Sequence, residues 1–135
     1  MKKIIHCLLL TAFLAISSFV SAQNAATPVF ISKILPPIPV VMVESDMIRV
    51  SFIDGIVDGA NAFSLVFENK SLVAQTFTWT LIDAAGKSVG DSHTITLAAG
   101  EKLDYASKNE NSRALIFMVS ENLYPRNCTV EVVAH

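Results

Sequence analysis

Cysteine is nearly absent: the 135 residues contain two, Cys7 and Cys128. Cys7 lies inside an apolar leader that processing would remove, so one thiol remains and an intramolecular disulfide is excluded, although exported chains of this size often carry one. Basic residues are also few, ten Lys and Arg against twelve Asp and Glu, for a formal net charge of −2. They are scattered singly, which leaves no basic patch for nucleic acid. The five glycines form no phosphate-cradling loop, and no helical period is sustained after the leader. His93 and His135 are the only histidines beyond the leader, and with Cys128 they are too few nitrogen and sulfur ligands for a transition-metal site. No nucleophile motif accompanies His93, so a hydrolase triad has no sequence support and no catalytic residue is assigned. No cofactor is expected.

What the chain does have is apolar residues, 52% of the total. Part of that surplus is the leader itself. Lys2 and Lys3 precede the run Ile4 to Phe19, and Ser18-Phe19-Val20-Ser21-Ala22 places small residues three and one positions before the bond to Gln23. This is the pattern of a secretory signal peptide cut after Ala22. As a spanning helix the run is short against the roughly 20 apolar residues required, and no stop-transfer charges follow. The expected organisation is a signal peptide at 1–22, an extended proline-containing segment at 23–43 and one β-sandwich domain at 44–135. The product is expected in the periplasm or outside the cell, with no membrane contact after cleavage.

The clearest strand is Gln75 to Asp83. Phe77, Trp79 and Leu81 share one face and Thr76, Thr78 and Thr80 the other, the period of two that places one face in a core and the other in water. Asp83-Ala84-Ala85-Gly86 then supplies an Asx-turn and a glycine for the reversal. Upstream, Pro36, Pro37 and Pro39 break residues 28–43 into two extended pieces, Val29 to Leu35 and Val40 to Glu44, at a sheet edge. Asp46 to Ile53 and Asn61 to Glu68 alternate as strands, joined by a connection over residues 54–61 with two Asp-Gly pairs. Downstream, Lys87 to Val89 forms a short piece, Ser92 to Ala98 alternates, Leu103 and Tyr105 mark a short strand, and 107–112 is polar. Arg113 to Ser120 is apolar on both faces and reads as a covered strand, Asn122 to Asn127 as a loop, and Cys128 to Ala134 as the last strand. The glycines fall between these strands. Cys128, at the head of an apolar stretch, reads as a buried small hydrophobe, with pairing to another molecule as the alternative.

About seven to nine short strands at this spacing predict an all-β fold, an antiparallel β-sandwich. The tryptophan-bearing strand Thr76 to Asp83, the reversal at Asp83 to Gly86 and the stretch Ile95-Thr96-Leu97-Ala98-Ala99-Gly100-Glu101 together resemble the immunoglobulin-like sandwiches of exported bacterial proteins. The paired cysteines of antibody-type domains are missing, so no binding residue is implied by the resemblance.

Asp54, Asp58 and Asn61 are the candidate metal ligands, since one loop would turn their oxygens toward a calcium ion. Their spacing matches no standard calcium loop, and Asp-Gly pairs make turns without metal. Asn69-Lys70-Ser71 and Asn127-Cys128-Thr129 match the glycosylation acceptor pattern, although the short leader is bacterial in style. The larger anomaly is the apolar surplus in 28–43. Phe30, Ile34, Leu35 and Val41 are the candidate interaction residues, either covering one end of the core or meeting another chain. The expected function is a non-enzymatic structural or interaction module whose partner is another protein chain or a second copy. A sandwich binding a small ligand, glycan or calcium through the loops at 54–61 or 107–112 is the alternative.

Overall fold

The computed structural model describes residues 29–107 and 109–135. The expected signal peptide, its expected cleavage site and residues 23–28 lie outside the described residues. Among the described residues the strands are β1 Phe30–Ser32, β2 Val40–Glu44, β3 Ile48–Val57, β4 Ala60–Asn69, β5 Gln75–Ile82, β6 His93–Leu97, β7 Lys102–Leu103, β8 Ile116–Met118 and β9 Thr129–Ala134, with a short 3-10 helix at Glu110–Leu115. They form two antiparallel sheets, the all-β sandwich that the period-two pattern predicts. In the larger sheet β3 and β4 are the spine; β1 and β2 share the other side of β3, and β7 and β8 the other side of β4. The smaller sheet runs β6-β5-β9. No helix among the described residues is long and apolar enough to cross a membrane.

The strand at 75–82 behaves as its alternation demands. Phe77, Trp79 and Leu81 are buried, and they pack with Val50, Phe52, Phe63, Leu65 and Phe67 of the opposite sheet. Trp79 lies 5.1 Å from the ring of Phe67 and stacks at 4.7 Å on His93. Its indole N–H is buried without a partner among the described residues, a cost that burial of so large a ring offsets. The threonine face is half-buried and laced by side-chain bonds to the exposed Thr94 and Thr96, Thr76 to Thr96 at 2.9 Å and Thr78 to Thr94 at 3.2 Å, the cross-strand pairs that stabilise a solvated sheet face. At the end of the strand the Asp83 carboxylate accepts from the N–H groups of Ala85 and Lys87, and Gly86 takes φ 81°. The turn therefore forms by the chemistry its residues predict.

Residues 54–61 depart from expectation. Asp54, Gly55, Ile56 and Val57 continue β3, paired with Phe63, Ala62, Asn61 and Ala60 of β4. Only Asp58 and Gly59 turn, with φ of 50° and 80°, the two positive values of the tight hairpin that Asp-Gly favours. Gly55 therefore sits inside a strand, and its role is close approach: a Cβ there would collide with the Phe30 ring and lie 2.6 Å from the Ile31 carbonyl oxygen. Phe30 also meets Tyr105, with centroids 4.7 Å apart. These two rings cover the outer face of the larger sheet, where Ile53, Val57, Ala62 and Val66 make a second small core.

The strands apolar on both faces are consequently β3 and β4, not residues 113–120. That segment begins with the 3-10 helix and keeps only Ile116–Met118 as strand. Asn109 starts the helix by accepting the N–H of Asn111 at 2.9 Å, and the Ser112 hydroxyl donates to the Asn109 carbonyl at 2.7 Å. Both bonds offer the backbone a local alternative to the ladder. Phe30–Ser32 and Val40–Glu44, which fall largely in the segment expected at a sheet edge, pair with β3 at the edge of the larger sheet.

Candidate functional site

The two sheets are joined on one side by Asn69. Its side chain is fully buried; the amide donates to the carbonyls of Val73 at 2.9 Å, Leu97 at 3.1 Å and Ala98 at 3.0 Å, and its oxygen accepts from the N–H and hydroxyl of Ser71. A buried amide satisfied this fully acts as a cross-brace between β4 and β6. It also makes Asn69-Lys70-Ser71 useless as a glycan acceptor in the folded chain, whereas Asn127 is exposed.

The opposite side is open. There β2 and β9 border a hollow of about 310 Å³ lined by Val40 to Val43, Phe52, Pro125, Arg126, Cys128 and Thr129. The larger sheet is also interrupted at this edge. β1 covers Gly55 to Val57 and β2 covers Arg49 to Phe52, so Ile53 and Asp54 lie in the gap between them. Residues 33–39 leave the sheet across that gap, tied by a bond from the Lys33 N–H to the Asp54 carbonyl at 3.1 Å and by the Ser32 hydroxyl, which donates to the Ile34 carbonyl and accepts from its N–H. Beneath them lies a second hollow, of about 160 Å³, with Ile34, Ile38, Val40 and Arg126 in its wall. A third, of about 210 Å³, is bordered by Lys33, Asp54, Asn61, Tyr124 and Arg126.

Arg126 is thus common to all three hollows. Its guanidinium stands 5.7 Å from the centroid of the Phe52 ring, an attractive contact for a cation. The ion pairs among the described residues are elsewhere, Glu44 with Arg49 and Lys70 and Glu68 with Arg49, and none involves Arg126. Periodicity gave no warning of it, because a single arginine after Pro125 in a loop has no pattern to belong to.

The structure distributes the other sequence candidates unevenly. Ile34, Leu35 and Val41 are 55%, 79% and 50% exposed, and Ile38 beside them 65%. Phe30 is only 7% exposed, because it is committed to Gly55 and Tyr105; it holds the edge in place rather than facing a partner. Asp54 and Asn61 border one hollow with two cations, while Asp58 is in the hairpin turn and outside its lining. Among the described residues no group of three or more His, Cys, Asp and Glu is placed to hold a metal ion. His93 stacks on Trp79, and His135 bonds the Thr78 hydroxyl at 2.8 Å.

Cys128 is buried and free, its thiol 3.6 Å from the Pro125 carbonyl. Burial pushes the thiol above its ordinary 9.0, so little of it is the reactive thiolate at neutral pH. A thiol reagent is expected to label the native protein at least about tenfold more slowly than the urea-unfolded one; equal rates would mean that the side chain is accessible.

Next to the open edge, the Glu44 carboxylate accepts from the Arg49 guanidinium and the Lys70 ammonium, each at 2.8 Å, and these hydrogen bonds hold it down from 4.5 to about 2. A depressed carboxylate stabilises the fold above its unfolded pKa and loses that contribution as pH falls from 4.5 through about 2. The group is exposed, so the effect is screened by salt. Glu44→Gln is expected to flatten this acid limb in urea midpoints measured at low ionic strength, with the difference shrinking at high salt; an unchanged limb would show that the pairs contribute nothing.

Comparison with protein-family models, with curated proteins and with solved structures finds no match to this chain.

Proposed function

We propose that the protein is an exported, non-enzymatic interaction module of immunoglobulin-like type, which meets another protein chain or a second copy of itself at the open edge bounded by β2. The observation that carries this reading is the exposure of the aliphatic side chains within residues 34–41. Ile34, Leu35 and Ile38 are each more than half exposed and Val41 is half exposed, with Ile34 and Ile38 sharing a hollow with Val40 of β2, and apolar surface adjoining a sheet edge is what soluble chains avoid unless something covers it. The polar threonine face of the smaller sheet offers a contrast on the same molecule. Both histidines beyond the leader are held by structural partners, which suits a module that works by contact. The apolar leader and the small residues before Gln23 support export.

Removing residues 23–43 would also remove Phe30 from the second core, so single positions make the better test. A photo-crosslinking phenylalanine analogue at Leu35 or Val41, in cells producing the protein, is expected to give a covalent protein adduct, and the same analogue at Thr96 on the opposite face is expected to give none. Sedimentation separates a second copy from a foreign chain, because only self-association depends on the concentration of the purified protein. Absence of adducts from both Leu35 and Val41 would overturn the proposal.

A further inference from the structure

Resting on that reading, we propose that the open edge takes an extended protein segment whose aliphatic side chains seat in the hollows beside β2 and whose acidic side chain pairs with Arg126. Charge complementarity selects the anion. Arg126 stands where three hollows meet, has no ionic partner among the described residues, and shares one hollow with Lys33. Among the described residues Asp54 is the one carboxylate in the lining of these hollows and leaves them with a positive excess, on a chain whose formal charge is −2. A cation beside aliphatic walls rewards a ligand that brings a carboxylate and apolar groups together, through a charge-assisted hydrogen bond.

The size of the hollows and the neighbouring strand select the kind of ligand. The largest hollow, about 310 Å³, is at the bottom of the range of roughly 300–1,000 Å³ typical of sites that enclose a small molecule. Three small adjoining hollows fit successive side chains of one extended chain better than they fit one compact ligand. Among the described residues β2 pairs with β3 alone, so its other side offers backbone donors and acceptors to a strand laid along it, the mode in which main-chain bonds give affinity and side-chain sockets give specificity.

The probe is the capped hexapeptide Ac-Val-Thr-Ile-Asp-Val-Thr-NH2, compared with its Asn counterpart by amide and guanidinium NMR shifts of the nitrogen-15-labelled protein. The Asp peptide is expected to shift Val40 to Val43 and the Arg126 side chain, and the Asn peptide to bind about tenfold more weakly. Arg126→Gln, a surface change, is expected to remove that difference, and Val41→Lys to weaken both peptides. Equal affinity of the two peptides for the wild-type protein, or shifts confined to other surfaces, overturns the proposal. So does silence from both peptides at millimolar concentration. If crosslinks at Leu35 persist in that case, the interaction reading survives alone, with a second copy or a neutral partner as the occupant.

Discussion

Asn69→Ala is expected to destabilise the fold by about 3 kcal/mol, with a fall in Tm of roughly 10–20 °C for a domain of this size. The lost amide serves the carbonyls of Val73, Leu97 and Ala98 and the N–H of Ser71. Alanine leaves these groups without their partner, and where they are enclosed water cannot replace it. The asymmetry of hydrogen bonding decides the size of the effect: making such a bond contributes modestly, whereas stranding a buried group carries its full desolvation cost. Asn69→Asp is expected to be worse than alanine, because a carboxylate keeps the bonds from Ser71 but turns negative oxygens toward the carbonyls of Leu97 and Ala98. Urea unfolding of the three proteins gives the ranking, and a Tm change below about 3 °C for Asn69→Ala would show that the brace is dispensable.

Gly55→Ala is expected to cost about 2 kcal/mol, within the range for forcing extra volume into a packed site. The added Cβ would meet the Phe30 ring and the Ile31 carbonyl, and the strand is paired on both sides, with Ala62 of β4 and Ser32 of β1, so the backbone has little room to yield. Phe30→Ala separates the two obstacles. That change alone is expected to cost about 3 kcal/mol by emptying the second core, and in its background Gly55→Ala should cost markedly less. Full additivity in the double-mutant cycle would show that the ring is not what excludes a side chain at residue 55.

Much of the sandwich was legible because the information is local. Alternation in Gln75 to Ile82 reports which face is dry, and the prolines at 36, 37 and 39 mark where the edge breaks, so that Val40–Glu44 appears as a strand with the bounds the sequence suggests. Asp83 and Gly86 carry their turn within five residues. The departure at 54–61 arose where distant residues decide. An Asp-Gly pair looks the same at 54–55 and at 58–59; only the first has an aromatic ring from another strand lying over it, and that ring keeps the strand running through the pair. Arg113 to Ser120 has strand-like composition, but local bonds from Asn109 and Ser112 coil its first part before β8 can join β4. Of the proposed contact surface, the exposed aliphatic residues among the prolines were legible in the sequence, while Arg126 owes its setting to residues of the 32–54 region, far from it in sequence.

The pairing of Phe30 with Tyr105 also sets an order of events. During synthesis the first strand is made early, but the ring that clasps it arrives only after β2 to β7 have been completed. Until then Phe30 is held by the pairing of β1 with β3 and by its contact with Gly55, and closing the longer loop to Tyr105 is slow compared with zipping the β3-β4 hairpin. The β1 end of this edge therefore gains its last aromatic contact late, and until then a chaperone that shields aliphatic segments of a growing chain would find a target there.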